Sequence, residues 1–194
     1  MKKIILFLAC AIFTHVASAQ TSVSMVSIKV PALDKSPMDM AYFPSNFPVL
    51  KIQDKATTPL IARVIYSRPQ KSGRIVFGEL VEIGKVWRLG ANEATEIEFF
   101  RDVKIANKRI AKGKYTMYAV VNNTNWTVIL NKETDVWGAF KYDEKKDVVR
   151  TTVPVQKLAE PTEMFTMFFE KATKGMDLVM VWDDVKVVLP VSLY

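Results

Sequence analysis

The chain has 194 residues, of which 27 are basic and 20 acidic, and its formal net charge is +7. This basic excess is small and mixed with acidic residues along the chain, so we expect no nucleic-acid partner. The sequence has one cysteine and one histidine, Cys10 and His15. A domain that begins after them has no disulfide, thiol nucleophile, Ser-His-Asp triad or Cys/His metal or haem site.

Residues 1–19 have the pattern of a cleaved secretory signal peptide. Two lysines precede an apolar run over residues 4–13, and Ala17-Ser18-Ala19 then forms a small-x-small cleavage site. The run is too short to cross a membrane, which takes about 20 apolar residues. We therefore expect a secreted or periplasmic protein, cleaved after Ala19 and without a transmembrane segment. A buried N-terminal segment is one alternative, and a lipoprotein signal with Phe7-Leu8-Ala9 before Cys10 is another.

The expected mature chain has 175 residues and a net charge of about +5. This length suits one domain with a core of its own. We expect no metal and no cofactor, because Cys10 and His15 leave with the signal and no calcium-binding loop is visible. The acidic clusters at 143–147 and 183–184 lack the alternating acidic pattern of such a loop and indicate turns or surface.

Residues 20–48 are predicted to form an extended arm that packs on the domain. They contain Pro31, Pro37, Pro44 and Pro48, and these prolines disfavour a regular helix or an internal strand. The apolar side chains between residues 38 and 47 predict packing, since a disordered linker is poorer in aromatic residues.

From residue 49 the dominant hydrophobic period is two, which is typical of half-buried strands. A polar turn at 122–125 and a single helical turn at 155–158 interrupt this pattern. The pattern predicts an all-β, single-domain antiparallel β-sandwich over 49–194, or a related jelly roll or barrel. About nine strands are expected, at 49–53, 60–66, 96–105, 115–121, 126–130, 148–155, 164–171, 178–182 and 185–191. The period also places six side chains in the core: Trp126, Trp137, Phe165, Met167, Phe169 and Trp182.

The alternation fails between residues 66 and 95, which predicts a long ordered loop. Ordered loops of this length inside compact domains tend to be functional. Arginine forks bind carboxylate, sulfate or phosphate in bidentate fashion, and aromatic rings offer faces to a sugar. The candidate ligand-binding residues in this segment are Tyr66, Arg68, Arg74, Trp87, Arg88, Asn92, Glu93 and Thr95. The same residues could instead form a structural network, with Arg88 paired to Glu93.

Several separated motifs in this chain resemble one known family. They are Tyr-Ser-Arg-Pro at 66–69, Gly-Arg-Ile-Val-Phe-Gly at 73–78, Gly-Lys-Val-Trp-Arg at 84–88, Gly-Ala-Asn-Glu-Ala-Thr at 90–95, Lys-Gly-Lys-Tyr at 112–115, Trp-Thr-Val-Ile-Leu-Asn at 126–131 and Trp-Gly-Ala-Phe at 137–140. Together they resemble the exported, Bacteroidetes-type family catalogued as domain of unknown function number 2911, over residues 50–190. The resemblance implies a secreted or periplasmic β-protein and brings no established activity.

Two functions from different classes fit the sequence. The first is an exported non-catalytic binding or scaffold protein that holds a glycan or another polar or anionic small molecule in the 66–95 segment. The second is a carboxylate-based hydrolase or lyase, in which Glu93 acts as acid or base with Glu96 or Asp102 as its partner. The position of Glu93 relative to these carboxylates and to Arg88 distinguishes the two.

Overall fold

The computed structural model describes residues 25–194; the predicted signal peptide lies outside this range. Residues 25–32 have no regular secondary structure, and residues 33–194 form a separate compact unit. None of the described helices is long and apolar enough to cross a membrane.

The described residues form ten strands, one short α-helix and one 3-10 helix. The strands are β1 (Met38–Phe43), β2 (Ala62–Ser67), β3 (Val86–Trp87), β4 (Glu96–Phe99), β5 (Val103–Ile105), β6 (Lys108–Ile110), β7 (Gly113–Val121), β8 (Asn125–Asn131), β9 (Asp147–Ala172) and β10 (Gly175–Leu193). Helix α1 spans Phe47–Ile52, and the 3-10 helix spans Glu144–Lys146. The predicted all-β class is therefore confirmed.

All ladders between the strands are antiparallel, and the sheet is not closed into a barrel. The strand order is β1-β2-β4-β7-β8-β9-β10-β5-β6, with β3 paired to β7. Strand β9 pairs with β8 through residues 147–154 and with β10 through residues 155–172. Its two halves therefore belong to different parts of the sheet.

An aromatic cluster packs these parts face to face. Trp87 on β3 stacks on Trp182 of β10, with ring centroids 5.9 Å apart, and meets Trp126 of β8 edge-on at 5.7 Å. Phe165 of β9 lies 5.1 Å from Trp87 and 5.9 Å from Tyr66 of β2. Aromatic pairs at these separations and angles add stabilisation beyond the area they bury. The cluster thus joins β2, β3 and β8 on one side to β9 and β10 on the other, as expected for a sandwich.

Near the N-terminus of the domain, the structure corrects one prediction and adds an edge strand to the predicted arm. Residues 49–53, predicted as a strand, are mostly helical, because Pro48 in the first turn of α1 has the backbone angle that a helix start requires. Residues 38–43, predicted as part of an arm without an internal strand, form β1. This strand lies at the edge of the sheet and pairs with β2 alone in the strand order.

Two further corrections concern the long strands. The four strands predicted between 148 and 191 are two continuous strands, and the helical turn predicted at 155–158 lies within β9. The Asp183-Asp184 pair, predicted as a turn, interrupts the register of β10 without ending it; Asp183 has a φ of +51° and forms an ion pair with Lys71. A bulge of this kind bends a strand and keeps it in the sheet.

The core prediction is confirmed for five of its six residues. Trp126, Phe165, Met167, Phe169 and Trp182 are all buried. The prediction is wrong for Trp137, because its side chain is 60% exposed. It lies in the loop between β8 and the 3-10 helix, where no strand periodicity applies, and the isolated bridge between Trp137 and Glu93 holds its backbone.

Candidate functional site

The 66–95 segment is an ordered loop fixed to β9 as well as to its flanking strands. The amide of Lys71 donates to the carbonyl of Glu163 at 2.8 Å, and the amide of Phe165 donates to the carbonyl of Pro69 at 3.0 Å. Gln70 and Met164 form an antiparallel bridge between these two bonds. The loop therefore has one defined course, along which the eight predicted site residues fall into separate places.

Tyr66 and Arg68 belong to a polar cluster between β1, β2 and β9. The hydroxyl of Tyr66 donates to the carbonyl of Met167 at 3.1 Å, and burial raises the pKa of this phenol. The guanidinium of Arg68 donates to Asp39 and to the hydroxyl of Thr166, both at 2.9 Å. These bonds use both terminal nitrogens of Arg68 and hold the edge strand in place, although its Nε is buried without a partner.

Arg74, Trp87 and Thr95 also bond within the protein. The exposed Arg74 folds back and donates to the carbonyls of Gln70 and Lys71 in its own loop. The indole of Trp87 donates to the carbonyl of Gly90 at 3.1 Å, and the buried hydroxyl of Thr95 donates to the carbonyl of Leu89. Both bonds shape the glycine-rich turn at the end of the loop.

Arg88 differs from the other two predicted arginines because it has no side-chain hydrogen bond or ion pair among the described residues. Its Nε atom is buried without a partner. Burial lowers the pKa of the guanidinium, and arginine still carries its charge at neutral pH. The predicted pairing of Arg88 with Glu93 does not occur among the described ion pairs. A cation that is half removed from water and lacks an anion is unfavourable unless another group supplies one.

Arg88 lines a small pocket of about 270 Å³. Lys85, Trp87 and Phe140 also line it, and the Phe140 ring is 85% exposed. Gly138, at a φ of +69°, leaves room for this ring, since a Cβ at position 138 would come within 2.6 Å of it. Glu82 lines the pocket as well, so the two cations Lys85 and Arg88 leave one net formal positive charge beside an open aromatic face.

Asn92 and Glu93 connect the loop to the segment that carries Phe140. The carbonyl of Asn92 accepts a hydrogen bond from the amide of Gly138 at 2.9 Å, and Glu93 pairs with Trp137 through the backbone. The side chain of Glu93 is exposed. These two residues hold the walls of the site together through the main chain. We name the set Arg88, Asn92, Glu93, Trp137 and Phe140 the Arg88 site.

The carboxylates proposed as partners of Glu93 are already engaged. Glu96 lies 3.2 Å from the ammonium of Lys114 and accepts from the amide of Asp135 at 2.8 Å. Asp102 accepts from the amide of Lys112 and from the guanidinium of Arg109, and these bonds hold the pKa of Asp102 below its ordinary value. Both carboxylates therefore already have partners within the protein.

Phe140 and the exposure of Trp137 were not predicted from the sequence. Both residues stand in the Trp-Gly-Ala-Phe motif at 137–140, where a glycine between aromatic residues was a signal of special backbone geometry. Within the described chain, no group of three or more acidic, histidine or cysteine side chains is arranged to hold a metal ion.

Comparison with known proteins gives one match. The model of the family described as "Protein of unknown function (DUF2911)" matches residues 51–191. No curated protein and no solved structure matches this chain. The match covers most of the chain and nearly all of the β-domain, so the chain belongs to this family of unknown function.

Proposed function

We propose that the protein is an exported, non-catalytic binding protein that holds a polar or anionic small molecule, such as part of a glycan, at the Arg88 site. The observation that carries the proposal is the unpaired guanidinium of Arg88 in a pocket with an exposed aromatic wall. A carboxylate, sulfate or phosphate group would complete the hydrogen bonds that Arg88 lacks.

The second feature that supports binding is the aromatic surface beside the charge. The Phe140 ring lies beside Gly138, and Trp137 presents its ring to solvent on the same short segment. Rigid exposed rings bind the apolar face of a sugar at low entropic cost, because they have few torsions to restrict. The small volume of the pocket suits one ring or one anionic group.

The alternative of a carboxylate hydrolase has less support. An acid-base pair needs one carboxyl group that is able to donate a proton. Asp102 has a lowered pKa and Glu96 is paired with Lys114. Asp102 is therefore poorly suited to donate a proton near neutral pH, and the carboxylate of Glu96 is occupied by its ion pair.

A thermal-shift screen against sugars, uronic acids, sulfate and phosphate tests the proposal. A ligand at 100 times its dissociation constant adds about 2.7 kcal/mol to the free energy of unfolding. We expect Arg88→Gln to abolish the shift, while Arg74→Gln, a matched control whose side chain bonds only its own loop, keeps it. A shift that survives in Arg88→Gln would refute the assignment of the site.

A further inference from the structure

One cavity in the described part of the chain has no residue in common with the Arg88 site. Its volume is about 830 Å³. It opens where β9 and β10 part: their pairing ends at Val155 and Val187, and β10 next pairs with β5 at Ser192. Residues 188–191 have no ladder partner in the described strands, so a gap opens between β5, β9 and β10.

A second cavity of about 690 Å³ adjoins the first. Both are lined by Lys174 and Leu193, at the place where the turn between β9 and β10 meets the end of β10. The amide of Leu193 donates to the carbonyl of Lys174 at 2.8 Å and fixes this junction. We name the two adjoining cavities the lysine groove.

The groove is positively charged. Lys104, Lys171 and Lys174 line it, and none of them forms an ion pair among the described residues. No Asp or Glu is found among the described residues that line either cavity. Lys114 on β7 and Lys146 in the 3-10 helix, by contrast, each have a carboxylate neighbour. The groove thus concentrates unpaired cations on one surface, which attracts anions.

The uncharged lining is rich in hydroxyl groups above an apolar floor. Phe43 and Leu189 are buried beneath the cavities. The hydroxyl residues are Thr151, Thr152 and Ser192 in the first cavity and Ser45, Thr57, Thr58 and Thr173 in the second. Hydroxyl groups both donate and accept hydrogen bonds, as sugar hydroxyls require. The combined extent exceeds one sugar ring and suits a chain of several.

An added peptide strand fits this surface less well. Strand addition depends on backbone amides along an open edge. Pro154 and Pro190 line the gap and lack that donor. Side-chain hydroxyls and ammonium groups therefore supply most of the recognition here.

We propose that the lysine groove binds an acidic oligosaccharide, whose sugar units carry carboxylate or sulfate groups. This site is separate from the Arg88 site and does not depend on it. The protein would hold such a chain through the three lysines, with the hydroxyl side chains bonding the sugar hydroxyls between the charges.

Calorimetric titration with matched sugars tests the class of ligand. The probes are a short oligogalacturonate, a sulfated oligosaccharide of the same length, a neutral galactose oligosaccharide and a poly-glutamate peptide. We expect at least one acidic sugar to bind, with an affinity that falls as salt is added, and the neutral sugar to bind far more weakly. Equal binding of the neutral sugar, tighter binding of poly-glutamate, or no binding of either acidic sugar would overturn the proposal.

Substitution of the lysines tests the place. In the triple variant Lys104→Gln, Lys171→Gln and Lys174→Gln, we expect affinity for the acidic sugar to fall about tenfold or more, as three charge pairs are lost. A control with Lys132, Lys141 and Lys145 replaced by Gln removes the same charge from exposed positions outside the groove and should change affinity by less than about twofold. Equal losses of affinity in the two triple variants would indicate that the sugar is attracted to net charge alone, and they would refute the lysine groove as its binding site. Arg88→Gln should leave the affinity for the acidic sugar unchanged. The proposal for the lysine groove and the proposal for the Arg88 site can therefore fail independently, and the two failures are distinguishable.

Discussion

Replacing Gly175 by alanine should destabilise the domain at the point where the two ends of β10 meet. A Cβ at this position would lie 2.3 Å from the carbonyl oxygen of Val191, 3.0 Å from the amide nitrogen of Leu193 and 3.1 Å from the Cα of Ser192. All three atoms belong to the backbone, so no side-chain rotation relieves the contact. Overpacking costs about 1–3 kcal/mol, and a backbone obstacle places this change at the upper end.

The strain also acts on a hydrogen bond. Moving the strands apart lengthens the bond from Leu193 to Lys174, which contributes about 1 kcal/mol. We therefore expect Gly175→Ala to lower the free energy of unfolding by about 3–4 kcal/mol, and Tm by roughly 10 °C for a domain of this size. Urea unfolding followed by tryptophan fluorescence measures the change.

Gly73→Ala is the matched control. Gly73 has a φ of +73°, and a Cβ at this position would have no atom within 4 Å, so the substitution carries only the backbone penalty of about 1 kcal/mol. If Gly175→Ala proves no more costly than Gly73→Ala, the close approach between the ends of β10 is not tight and the reasoning is wrong.

Three further predictions concern side chains. Arg68→Ala removes the bonds to Asp39 and Thr166 and should cost about 1–2 kcal/mol in urea unfolding, whereas Arg74→Ala should change stability by less than about 0.5 kcal/mol. Trp126→Ala should cost about 3–5 kcal/mol because the residue is 1% exposed, whereas Trp137→Ala should cost less than about 1 kcal/mol; equal losses would contradict the core assignment. Stability should also fall as the pH rises above 10.0, because burial raises the pKa of four phenols, so that the native state retains protons that the unfolded chain has lost; these are Tyr66, Tyr115, Tyr118 and Tyr142. Phenolate absorbance should show a native titration shifted to higher pH than in the urea-unfolded chain, and coincident curves would contradict it.

Strict alternation in the sequence was a reliable signal of the central strands. Strands β7 and β8 and the turn between them lie where the pattern predicts them. Their alternate residues face the main core, while Tyr118 and Ile129 belong to a second small cluster that covers the other face. Residues 49–53 were misread because a short apolar run fits either a strand or a helix. Pro48 in the first helical turn was the signal that separates the two.

Other features depend on contacts that sequence spacing does not reveal. Asp183 remains within a strand and pairs with Lys71, 112 residues away in the chain. The lysine groove takes its lining from several distant segments, so no local pattern marks it.

The candidate site was predicted in part. Asn92 and Glu93 bond the segment that carries Phe140, and Phe140 lines the pocket together with Arg88. Tyr66, Arg68 and Arg74 are near them in sequence and bond elsewhere, since the loop between them is fixed along β9. Nearness along a loop of thirty residues therefore did not imply a shared pocket.

The continuity of β9 has a consequence for how the domain opens. Its first half is hydrogen-bonded to β8 and its second half to β10, and one uninterrupted backbone joins them. Unfolding of either layer releases its own part of β9, and the shared backbone transmits that opening to the part in the other layer, so we expect the two layers to be coupled. Amide protons of β8 and of the first half of β10 should accordingly exchange through one shared opening event, with similar protection and a common response to denaturant.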